Sequence, residues 1–498
     1  QARPNLSDDP EEVSTAPREL AALRHEKLSD AAGALEATMR LIDQSRAEEL
    51  SDPLNAAMRL AGELDRLDAL IDELGTRARD DGRDPEVRIA IGLAAAYAAS
   101  DFLGDPDKAL AILVPLLDAE LADLASCERI EELALRKDDA ALVERALREG
   151  VRLAVGTDKQ VPMQVRLGEA RIATSMWPGA VEAFRDALDI EPGLAAAVRG
   201  LEIVLERTVQ EESGVPDGLL DALDNAYMAT SNTAGQAQVV RVRLRSAEDG
   251  DRINLLQNLG TLIEQGGGSS AEALEAWGAL LALDADSGMA LERVLALADG
   301  QLVVRAGELL AAAVSAAADA GRTSAGACLA ATRLFLERLN NPEQAKQVLT
   351  PLLDEQAEHP EALGLLVASE RALGDARGLH EALTRAAAAQ ADPLQAAGLW
   401  REAAVVAEQM LAEPSTAVED LRALLEADES DRAGWSRLLT LLGQVGDPEE
   451  LADALNRRVM ITDDDSERRE LRYRLANHLV EKLERSEDAI VVYNDMLG

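Results

Sequence analysis

An all-α solenoid is the architecture that this 498-residue sequence predicts, on three observations. Alanine and leucine supply about a third of the chain and aromatic residues only 2%, so helix formers abound and the residues that strands prefer are scarce. Apolar residues recur at i, i+3, i+4 and i+7; Ala180, Phe184, Ala187 and Leu188, for instance, share one helix face. Similar stretches then return at a fixed interval. Ala273, Ala345, Ala417 and Ala489 each open one, at a constant spacing of 72, and Ala109 and Ala180 open two more at a spacing of 71. A chain of this length otherwise needs several domains of roughly 100–200 residues. A repeat array needs no central core, because each unit buries its apolar face on the next.

Taken in order, residues 1–17 are polar and acidic and are expected to form a flexible tail. Residues 18–103 hold degenerate helical repeats, visible in Leu35-Glu-Ala-Thr-Met-Arg-Leu and Leu67-Asp-Ala-Leu-Ile-Asp-Glu-Leu. Regular helix pairs fill 104–210, starting from the turn Gly104-Asp-Pro-Asp. From Ala180 to Ala273 the spacing is 93 rather than 72, and the surplus falls on 211–234, expected to be an inserted helix with flanking loops that could project from the array. The pattern resumes over 235–498. There a second, weaker copy lies inside each period, with Leu379 and Leu451 in the alanine's place, dividing 72 into 34 and 38. The last copy opens at Ala489 and leaves Ile490, Val491, Tyr493, Met496 and Leu497 as an uncapped apolar face. The natural chain is therefore expected to run on past Gly498, or to be covered there by another chain. In all, 65–80% helix in twelve or thirteen pairs is expected, with no sheet.

A two-helix unit of the shorter of these spacings, with small residues at the crossings, resembles the tetratricopeptide repeat. The copy ending at Pro192 carries the likeness best. Leu167 and Gly168 match the family's Leu-Gly pair, Ala180 its crossing alanine, and Phe184, Ala187 and Pro192 the second-helix aromatic, small residue and closing proline. Gln164 and Arg171 depart from it, standing where the family has Trp and Tyr. In a further copy Leu259, Gly260, Trp277 and Leu280 fit, with Ala273 displaced by one through the loop Gly266-Gly-Gly-Ser-Ser. The resemblance implies a right-handed superhelix whose first helices line a groove that holds partner peptides or helices. Carried over to this chain, Asn254, Gln257, Thr261 and Glu264 would line that groove. Val165 and Glu169 replace the lysine and asparagine of the clamp that some such proteins close on a terminal carboxylate, so that activity is not implied.

Catalytic and metal chemistry find no support. His25, His359, His380 and His478 are scattered, and Cys127 and Cys328 stand far apart, which suits neither a zinc site nor a disulfide framework. Asp284-Ala-Asp-Ser-Gly288 lacks the third oxygen ligand and the twelfth-position acid of a calcium loop, and Asp463-Asp-Asp465 reads as a solvated turn. Neither a cofactor nor a metal is expected, and the chain reads as non-enzymatic. With 92 Asp and Glu against 50 Lys and Arg, the net charge of −42 repels nucleic acid and anionic lipid and favours cationic partners. No run of apolar residues is long enough to cross a membrane, and the compartment leans to the cytoplasm. Abundant alanine, with arginine favoured over lysine, suits a GC-rich bacterial genome. The expected function is a protein-interaction scaffold; the alternative is a structural subunit that self-associates into a larger assembly.

Overall fold

The computed structural model describes residues 10–211, 214–445 and 447–497, and among these residues it contains 27 α-helices and no strand. Two compact units, Gln1–Val239 and Val240–Gly498, divide the chain. In each, a helix packs on the next helix and on the next but one, the contact pattern of a solenoid built from helix pairs. The all-α solenoid read from periodicity is thus the fold.

The first unit comprises α1 (Pro10–Leu28), α2 (Ala31–Gln44), α3 (Ser51–Glu63), α4 (Leu67–Ala78), α5 (Pro85–Tyr97), α6 (Pro106–Asp118), α7 (Leu124–Arg136), α8 (Ala140–Leu153), α9 (Gln160–Ala173), α10 (Trp177–Ile190), α11 (Ala195–Gln210) and α12 (Leu219–Ala229). One core cluster runs without a break from Met39 to Ala183. Two expectations are revised here. Of the acidic tail, residues 1–9 lie outside the described residues, but 10–17 form the first turns of α1. The 211–234 segment, of which residues 212 and 213 are not described, holds α12, and this helix does not project. It buries Leu219, Ala222, Leu223, Ala226 and Tyr227 and packs on α10 and α11.

The boundary between units falls within α13 (Thr233–Ser246). The second unit continues with α14 (Asp249–Gln265), α15 (Ser270–Leu283), α16 (Gly288–Leu297), α17 (Leu302–Asp319), α18 (Ala325–Arg333), α19 (Pro342–Glu355), α20 (Pro360–Leu373) and α21 (Ala376–Ala389). It ends with α22 (Pro393–Val405), α23 (Pro414–Ala427), α24 (Arg432–Val445), α25 (Pro448–Ile461), α26 (Asp465–Glu481) and α27 (Ser486–Leu497).

Small residues set how closely the helices approach. Ala109, Ala180, Ala273, Ala345, Ala417 and Ala489 are all buried. Glycines do more. A Cβ on Gly168 of α9 would lie 2.5 Å from the Phe184 ring, and one on Gly200 of α11 closer still, so the ring of α10 is clasped between two bare backbones. Gly260 of α14 receives Trp277 in the same way, at 2.5 Å. Ala187 is buried beside Phe184, and Pro192 lies in the turn that ends α10.

The period of the sequence also appears in the backbone. Asn340, Ala412 and Glu484 all adopt left-handed conformations, with φ of 47°, 56° and 57°, and Gly267 holds the corresponding place one residue early. Each ends a first helix. The next N–H then reaches back six positions: Asn341 to the carbonyl of Phe335, Glu413 to Ala407 and Arg485 to Leu479, at 2.8–2.9 Å. Two of these helices widen to π geometry in the last turn, over Leu334–Arg338 and Val406–Met410, and α5 does so over Ala98–Phe102. Asn341 then caps the following helix through the Gln344 N–H, and proline follows at 342 and 414 where no amide donor is required.

Two stability outcomes follow. Gly260→Ala should destabilise the second unit by about 1–3 kcal/mol in urea denaturation, because a buried indole cannot retreat from the added methyl; an unchanged midpoint would contradict the close approach. Ala412→Gly should stabilise by about 0.5 kcal/mol, since left-handed geometry costs an L-residue roughly 1–2 kcal/mol, partly offset by glycine's larger unfolded-state entropy.

Candidate functional site

The first-helix face around Leu259 and Gly260 divides into two parts. Asn254 and Gln257 are exposed. Thr261 spends its hydroxyl on the Gln257 carbonyl at 2.8 Å, and the Glu264 carboxylate accepts the Trp277 indole N–H at 2.8 Å while facing Arg293 at 3.7 Å. A buried indole needs an acceptor, and Glu264 on the facing helix supplies it. Only the first two of the four expected groove residues therefore present uncommitted side chains. The departures from the family pattern are packing residues too: Gln164 is buried, and Arg171 donates to the Gly179 carbonyl at 2.8 Å, tying α9 to α10.

Ion pairs between neighbouring helices run along both units. On first helices, Lys159 meets Glu128 at 2.7 Å, Arg166 meets Glu131 at 3.1 Å and Arg371 meets Glu402 at 2.5 Å. On second helices, Lys108 meets Asp68 at 2.5 Å, Arg305 meets Glu275 at 2.6 Å and Arg377 meets Glu413 at 2.8 Å. Partners are separated along the chain by about one helix pair in most cases. Exposed pairs of this kind contribute roughly 0–1 kcal/mol each. Together they join each helix to the corresponding helix of the next pair.

Some of these groups titrate away from their ordinary values. The Arg305 guanidinium, hydrogen-bonded to Glu275, holds that carboxyl below the usual carboxylate range. Burial pushes Glu131 up, and Arg166 offsets this only in part. Burial likewise raises Asp420, against the pull of His380 at 2.8 Å. Arg129, nearly fully buried, stacks 4.3 Å over Tyr97 and pairs with Asp101 and Glu132, pinning the π turn at the end of α5 to α7. No spacing rule in the sequence marks these contacts, because each joins helices through side chains that look like ordinary surface charges.

Both cysteine thiols are buried. Burial pushes the Cys127 thiol up to about 12 and Cys328 to about 11, so neither is a thiolate at neutral pH. Every histidine is occupied: His25 by Glu63, His359 by the Ala362 N–H, His380 by Asp420 and His478 by the Pro448 carbonyl. Among the described residues, no group of three His, Cys, Asp or Glu side chains is placed to hold a metal ion, and no helix is long and apolar enough to cross a membrane.

No family model matches this chain, and no curated protein matches it. Among solved structures, one of Naa15/Naa10 bound to HypK-THB is 14% identical, aligned over 93% of this chain and 67% of its own, with a TM-score of 0.22. A tetratricopeptide repeat protein from Parabacteroides merdae ATCC 43184 is 12% identical over 64% of this chain and 98% of its own, with a TM-score of 0.19. The present chain is built of helix pairs with aromatic rings seated on glycine.

The raised Glu131 carboxyl gives a pH test. A folded-state value above the unfolded one means that ionisation opposes folding, so its contribution is lost as pH rises through the ordinary carboxylate range to the raised value. Thermal melts from about pH 4 upward should therefore shift in favour of Glu131→Gln relative to the parent as pH rises. A shift in the parent's favour would show that the pair with Arg166 outweighs burial.

Proposed function

We propose that this chain is a non-catalytic scaffold that holds other proteins, and that its partners present cationic surfaces. The observation that carries the reading is the division of charge. Many lysines and arginines are tied into ion pairs between corresponding helices of adjacent pairs, and the chain carries a net charge of −42. Such a surface attracts basic partners, accelerates their encounter and rejects nucleic acid. The exposed Asn254 and Gln257 add uncommitted polar groups on a first-helix face, able to bond a partner's backbone.

Fluorescence anisotropy with labelled basic and acidic peptides tests it. Binding is expected for the basic peptides only, weakening steeply as salt is raised from about 50 to about 500 mM, over which the screening length shortens about threefold. Affinity flat across that range would overturn the electrostatic reading.

A further inference from the structure

Two cavities in the second unit are the same cavity one period apart. The first, of about 390 Å³, lies between α19, α20 and α21; the second, of about 340 Å³, between α23, α24 and α25. Leu353 and Leu366 wall the first, and Leu425 and Leu438, each one full period on, wall the second. Ala382 and Arg385 likewise recur as Ala454 and Arg457. Most telling are the acids at the mouth: Asp354 and Glu381 in the first, Glu426 and Asp453 in the second, again at the spacing of the repeat.

All but one of the cations lining the two cavities have carboxylate partners; Arg385 donates only to the Ala357 carbonyl, at 3.5 Å. Lys346 pairs with Glu370 at 2.6 Å and Arg377 with Glu413; Arg422 pairs with Glu450 at 2.6 Å and Arg457 with Glu429 at 2.9 Å. The four mouth carboxylates are exposed and make no salt bridge among the described residues. The wall of the first cavity adds a buried carboxylate with an unmet acceptor. Glu370 is 3% exposed; its second oxygen has no hydrogen-bond partner and rests against Gly378, where a Cβ would come within 2.5 Å of it. In the second cavity Glu450, paired with Arg422, stands at the Gly378 position, and Trp435 adds an indole wall over which the chain's own Arg457 lies, 6.0 Å from the ring centroid. Leucine and alanine walls and an acidic mouth, the features common to both cavities, suit a side chain with an aliphatic stem and a head made wholly of donors.

We propose that these two cavities are a repeated pair of sockets for arginine or lysine side chains of one basic segment in a partner protein. The inference rests on the scaffold reading above and gives it a place. Both sockets are walled largely by second helices, away from the first-helix groove. Two equivalent sockets on one array make binding bivalent, so loss of either lowers affinity by more than its own contacts would.

The full chain is titrated with fluorescein-labelled nona-arginine amide, parent against two charge-matched variants. Asp354→Asn/Glu381→Gln/Glu426→Gln/Asp453→Asn should weaken binding by about tenfold or more. Glu48→Gln/Glu86→Gln/Asp189→Asn/Glu191→Gln, which removes the same charge from exposed sites in the first unit, should weaken it less than about threefold. In the unaltered chain, the methyl resonances of Leu353, Leu366, Leu425 and Leu438 should shift ahead of other leucines as peptide is added. Equal losses in the two variants, or methyl shifts spread evenly along the chain, would overturn the sockets and leave the scaffold reading intact. A parent chain that fails to bind nona-arginine at low salt would overturn both.

Discussion

Helices in this chain come together where one of them offers almost no side chain. Phe184 lies against the backbones of Gly168 and Gly200, and Trp277 against Gly260, while alanine takes the crossing elsewhere. Although aromatic residues are few, Phe184, Tyr227 and Trp277 are spent filling the gap against a glycine of a neighbouring helix. Close packing of this kind makes each helix depend on its neighbours, and the stability of the array becomes a sum over adjacent contacts. Nothing in the fold requires a central core, which is why a chain rich in alanine can reach this length.

Charge follows the same neighbour-to-neighbour logic. A cation on one helix finds its carboxylate one helix pair away, and the pairs repeat on both first and second helices. Each is weak on its own, but together they decide which charges remain outward. In the two proposed sockets of the second unit, exposed carboxylates meet apolar walls.

Much of this was legible in the sequence, and the part that was not has a physical cause. The register of the repeat is present in Ala345, Ala417 and Ala489, and it reappears in the left-handed turns at Asn340, Ala412 and Glu484. Neither Ala412 nor Glu484 advertises a left-handed turn, since glycine is the residue that normally marks one. Helix α12 looked like an insertion because its surplus length broke the count, although its apolar face, Leu219, Leu223 and Tyr227, is that of an ordinary array member. Glu264 reads as a groove residue from its place on the helix; only the position of the Trp277 indole shows that it is spent on packing. The sockets escaped for a different reason. Asp354 and Glu381 are unremarkable among 92 acids, and they matter only because the fold sets them at one cavity mouth and repeats it.

The close approach at Phe184 is tested most directly by a double-mutant cycle with Gly200, read by urea denaturation. With the ring in place, alanine at 200 collides with it and should destabilise. In the Phe184→Ala background the same substitution should stabilise by about 1 kcal/mol, the helix-propensity gain of alanine over glycine. The reversal of sign is the predicted result. An effect of the same sign and size in both backgrounds would show that ring and glycine are not in contact, and that the array is held together in some other way.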